Sequence, residues 1–182
     1  MMDKKEIETK LASCGDFVKM DYLSRCLKSG KLDLDTKKFV MVRLSGIYEA
    51  RRMFYDAGRL LLHASDINPT EQGRVTDYVK AGELFVKGGK FEEAEIAFNK
   101  ALALCPDEKR KDIVKKARIE SMIVQAKNYL RKGKRKHALD TYEKLLEFDV
   151  NPDEKREIRE RVLKLYEKLG MVKEYMKLKG EI

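Results

Sequence analysis

Alanine, a large aromatic or aliphatic residue, a second alanine or leucine, and then proline recur along this chain at nearly fixed offsets. The fullest copy is Ala94, Phe98, Ala101 and Pro106, preceded by Tyr78, Ala81, Gly82, Phe85 and Gly89. The same frame fits Ala57, Leu61, Ala64 and Pro69, with Leu44 and Tyr48 upstream. It fits again at Ala138, Tyr142, Leu145 and Pro152, with Ala126, Tyr129 and Gly133 upstream. All three prolines fall at one place in the frame. An internal repeat of this kind constrains the architecture before any single motif does.

The physics of one copy follows from its spacing. Tyr78, Ala81, Gly82 and Phe85 share one face of a first helix. Gly88 and Gly89 break that helix, because glycine takes the backbone angles a tight reversal needs. Phe91, Ala94, Phe98 and Ala101 form the facing stripe of a second helix, which ends before Pro106. Small residues at Ala81, Gly82, Ala94 and Ala101 let the two backbones approach, and Phe85 and Phe98 fill the space beside them. One such hairpin cannot bury its apolar stripe alone and must stack on neighbours.

These residues resemble the tetratricopeptide repeat, whose signature places an aromatic, glycine, tyrosine, alanine, phenylalanine, alanine and proline at such spacings. Ser45 stands where that signature has glycine, and Gln125 where it has an apolar residue. The break points Gly15, Arg52, Gly89, Gly133 and Gly170 lie 37, 37, 44 and 37 residues apart. The resemblance implies an all-α fold, an α-α superhelix: a right-handed solenoid of stacked hairpins. The sequence predicts one domain over 1–182. It comprises a degenerate N-terminal hairpin at 3–30, repeats at about 38–69, 75–106 and 107–152, and a C-terminal capping hairpin at 153–182.

Charge is concentrated rather than spread. The chain of 182 residues carries a formal net charge of +9. Residues 107–137 alone hold twelve Lys or Arg against four acids. Nothing between Asp107 and Lys132 stops a helix, so a rod of roughly 39 Å is expected there. Lys111, Lys115 and Arg118 fall on nearly the same side as Val114 and Ile119, so its early turns are expected to project as a basic spur. A second basic cluster, Lys134, Arg135 and Lys136, sits at the next turn. Clustered cations release counterions from a polyanion, so these six residues are a candidate patch for RNA, DNA or an acidic protein. The opposing reading is a solvated face of a heat-adapted protein, since charged residues make up 39% of the chain and glutamine is scarce.

Catalysis finds no constellation. His63, expected to be half-buried, and His137, expected to be exposed, are far apart and lack neighbours at metal-ligand spacing. Cys14, Cys26 and Cys105 form no paired motif and read as reduced thiols of a cytoplasmic protein. Lys87-Gly88-Gly89-Lys90 lacks the full phosphate-loop pattern. No enzyme, cofactor or metal is predicted. No run approaches the ~18 apolar residues of a membrane span, and the opening MMDKKEIETK does not read as a secretory signal.

The resemblance also implies a ligand groove lined by the first helix of each repeat. The matching positions include Phe39, Val42 and Glu49, then Val79, Glu83 and Lys87, then Ile123, Lys127 and Arg131, and finally Glu160, Lys164 and Lys168. Gly46 and Lys80 stand where one subclass clamps a carboxylate with asparagines. The function expected is a non-enzymatic adaptor or scaffold holding a peptide or protein partner. The alternative is nucleic-acid binding through 107–137.

Overall fold

The computed structural model describes residues 3–180, so the outermost ends of the predicted 1–182 domain lie outside the described residues. Ten helices and no strand occur among the described residues. They divide into two compact units, 1–115 and 116–182.

The first unit contains α1 (Lys4–Ala12), α2 (Asp16–Lys28), α3 (Leu34–Ala50), α4 (Phe54–Asp66), α5 (Glu71–Lys87) and α6 (Phe91–Ala103). It also contains the start of α7 (Glu108–Arg131). From α2 to α6, each helix packs on the next in the chain. Ile7, Leu23, Cys26, Val40 and Leu44 form the core at the N-terminal end. Further along, Ala57, Ala81, Ala94, Ala97 and Ala101 are buried around Phe85 and Phe98. The ring of Phe98 packs where a side chain on Gly82 would stand, and Phe85 does the same to Gly58.

The second unit holds the rest of α7, α8 (Arg135–Leu146), α9 (Pro152–Leu169) and α10 (Val172–Gly180). Its core includes Met122, Ala126, Ala138, Leu139, Tyr142, Leu145, Val162 and Leu165. α8 packs on α9 and α9 on α10, while α10 itself buries no residue.

Four hairpin corners are built alike. Arg52, Gly89, Gly133 and Gly170 adopt left-handed backbone angles, with φ of 62, 71, 70 and 71°. The next amide in each case donates to a carbonyl five residues back: Met53 to Tyr48, Lys90 to Phe85, Lys134 to Tyr129 and Met171 to Tyr166, at 2.8–2.9 Å. This bond ends a helix in a left-handed cap and satisfies a carbonyl the helix leaves open. The acceptor is aromatic every time; Phe85 and Tyr166 are buried, and Tyr48 and Tyr129 half-buried. Gly15 departs from the rule: its φ is −73° and it serves as the N-cap of α2.

Helix starts are equally local. Asp33, Thr70 and Asn151 accept from the amides of Thr36, Gly73 and Glu154. Pro69 and Pro106 lie just before α5 and α7, and Pro152 opens α9, where its missing N–H costs nothing. Ser45, the departure from the signature, is buried and donates to the Ala57 carbonyl at 2.9 Å.

Candidate protein-binding surfaces

In the first unit the first helices of successive hairpins are tied to each other by charge. Lys38 of α3 meets Asp77 of α5 at 3.5 Å. Glu49 of α3 accepts from Lys80 at 3.2 Å and from Lys87 at 2.8 Å. Burial pushes the Glu49 carboxyl upward, but the bonds from Lys87 and Lys80 outweigh it and hold the group below its ordinary value. Two positions predicted to line a groove, Glu49 and Lys87, are therefore partnered with one another. Val79 and Glu83, on the same α5, are half-buried.

A cleft of about 580 Å³ opens between α3 and the first hairpin. Its apolar lining is Leu11, Ala12, Val42, Gly46, Ile47 and Ala50, and its charged rim is Glu8, Asp16, Lys19 and Arg43. Arg43 bonds to Glu8 across one side, and Arg51 lies 3.8 Å from Asp16 at the α2 end. Gly46 is exposed, and a Cβ placed on it would meet nothing within 4 Å. Val42 belonged to the predicted groove; Leu11, Ala12 and Glu8 did not, and Phe39 packs against the N-terminal core instead. The first hairpin fits the repeat frame poorly, so only the spacing of Ile7 and Leu11 hinted at its inward face.

The remaining predicted residues lie in or beside α7. Lys111 and Lys115, in the first unit, pair within their own helix with Glu108 at 2.7 Å and Asp112 at 3.5 Å. In the second unit Arg118 does not project: it is half-buried, with its guanidinium 3.7 Å from the centre of the Phe148 ring. Stacking on an aromatic face suits a planar, weakly hydrated cation. Ile123 is half-buried, while Lys127 and Arg131 are exposed near the end of α7. Lys134 is the N-cap of α8, and Arg135 and Lys136 form its first turn, all exposed. Two groups read separately from the sequence, Lys127 with Arg131 and Lys134 with Arg135 and Lys136, thus meet at one end of the second unit.

His63 is exposed rather than half-buried, because its place on α4 turns it away from Ala64 and Leu61. His137 is exposed, its ring 5.3 Å from that of Tyr129. Among the described residues no group of three or more His, Cys, Asp or Glu could hold a metal ion. Among the described residues no helix is long and apolar enough to cross a membrane.

Antiparallel helical hairpins with repeated left-handed corners and small residues under aromatic rings define a helical-repeat protein. The family model of the tetratricopeptide repeat matches residues 78–108, from the middle of α5 through α6. Repeats of this family generally mediate protein–protein interaction and are typically non-enzymatic. Among curated proteins none matches the chain.

Proposed function

We propose that this chain is a non-enzymatic adaptor or assembly scaffold that holds a peptide or protein segment against the first-helix face of its first unit. The observation that carries this reading is the cleft beside α3. An apolar floor with a bare Gly46, rimmed by charges of both signs, suits side chains of a peptide better than a small polar metabolite. Val79, Glu83 and Lys87 extend the same reading along α5; in the second unit, taken by itself, Ile123, Lys127 and Arg131 are the corresponding candidate positions.

A photo-crosslinking residue placed at position 42 tests it. The adduct identifies the partner, and Val42→Glu should then abolish capture of that partner without moving the melting temperature. Capture that survives Val42→Glu and a bulky Gly46→Phe would remove the cleft from consideration.

A second reading, RNA or DNA binding through 107–137, draws on the exposed Lys134, Arg135 and Lys136. It draws less on Lys111, Lys115 and Arg118, which are engaged within the protein. Binding of this kind falls steeply with salt.

A further inference from the structure

Several cations elsewhere in the chain are answered by acids. Lys38 meets Asp77, Lys80 and Lys87 share Glu49, Lys100 meets Asp66, and Arg161 meets Glu157. The end of α7 and the start of α8 instead concentrate cations in one short stretch. Lys132, Lys134, Arg135 and Lys136 are all exposed, and among the described residues no carboxylate stands within ion-pair distance of any of them. Arg131 bonds to the neutral amide of Asn128. Lys127, one turn earlier, feels Glu157, which is itself bonded to Arg161.

This arrangement works against the fold. Nine of the ten described helices carry an acid in the first turn; α8 carries none. Arg135 and Lys136 stand there instead, at the positive end of the helix dipole, and like charges crowd the corner. A heat-adapted surface does not account for it, because an ion-pair network needs both signs.

The neighbourhood discriminates between anions. Val124 is 55% exposed and shares a stripe of α7 with Lys127 and Arg131, at spacings of three and seven. Ile123 is half-buried beside it. Tyr129, the tyrosine of this stretch, is half-buried against His137 rather than presented to a base. Apolar contact beside unpaired cations suits acidic protein better than a phosphate polymer, which gains from exposed rings.

We propose that the last turns of α7 and the corner into α8 dock an acidic protein segment. Carboxylates lie over Lys132, Lys134, Arg135 and Lys136, and an apolar side chain rests on Val124. From Val124 to Lys132 the helix rises about 12 Å, which an extended segment covers in about four residues. This surface shares no residue with the α1–α3 cleft, and either can fail without the other.

Fluorescence anisotropy tests the proposal on the full chain with three labelled probes, at about 50 and about 200 mM NaCl. One is a peptide with a run of glutamates and a leucine about four residues away; the second replaces those glutamates with glutamine; the third is oligouridine RNA. The acidic peptide should bind, more weakly at high salt, and the glutamine peptide should not. Lys134→Glu with Arg135→Glu should weaken the acidic peptide at least about tenfold. Lys111→Glu with Lys115→Glu, an identical change in net charge, should leave it within about twofold. Val124→Ser should weaken it as well. The α8 variant places acids where the dipole favours them, so its melting temperature should hold or rise. Equal losses from both charge reversals would reduce the effect to net charge and overturn the proposal. Failure of the acidic peptide to bind would overturn it too, as would tighter RNA binding lost on the same α8 substitutions.

Discussion

The ring of Phe98 lies so close over Gly82 that a Cβ at position 82 would stand 2.8 Å from its carbons. Phe98 is fully buried and cannot swing aside. The second helix of the repeat thus seats its largest side chain against bare backbone of the first. Phe85 makes the same use of Gly58, one hairpin earlier, with a Cβ contact of 2.8 Å. Two consecutive helix pairs are keyed together by ring and glycine.

Gly82→Ala should therefore destabilise the protein. Overpacking costs about 1–3 kcal/mol, and the gain in helix propensity of about 1 kcal/mol recovers only part of it. Gly46→Ala, also within a helix but open to solvent, should stabilise by about 0.5–1 kcal/mol. Chemical denaturation of the two variants compares them directly; a common sign for both would refute the packing described here.

Removing the ring has a larger effect. Phe98→Ala in the first unit and Tyr142→Ala in the second should each cost about 3–5 kcal/mol, since both side chains are fully buried. Calorimetry that records an unmoved transition for Phe98→Ala would place that residue outside the core.

Arg52 is the one described non-glycine residue with positive φ. The three corners built like its own use glycine. Arg52→Gly should gain about 1 kcal/mol by relieving the left-handed strain, and Gly133→Ala should lose about 1–2 kcal/mol by creating it. Melting temperatures moving in opposite directions are the expected result.

Tyr78 and Asp66 give the fold a pH signature at both extremes. Burial pulls the Asp66 carboxyl upward, but bonds from Tyr78 and Lys100 outweigh it and hold it below its ordinary 3.8. Its contribution is complete above pH 3.8 and is lost as the pH falls through the lower native value. Burial, then the bond to Asp66, pushes the Tyr78 phenol from 10.0 up to about 12. That contribution is complete below pH 10 and disappears between pH 10 and about 12. Tyr78→Phe should flatten the alkaline loss and soften the acid one. Melting curves of both proteins across the two ranges measure the difference.

How much of this was legible in the chain depends on whether the governing force is local. The hairpin corners at Arg52, Gly89, Gly133 and Gly170 are set within six residues by one backbone bond and one left-handed residue. The prolines mark helix starts for an equally local reason, a missing N–H. The stripes of alanine and aromatic residues declare their buried faces through period alone.

Partnership across the chain is another matter. Glu49 and Lys87 are 38 residues apart, and no local rule says that they meet in space. Arg118 read as one more exposed cation until Phe148 supplied a ring to stack on. The sequence by itself determined where helices begin, end and turn inward, because those choices follow from short-range sterics and hydrogen bonding. Only the tertiary structure decided which charges neutralise one another and which stay free, because electrostatic pairing depends on distances that folding alone creates.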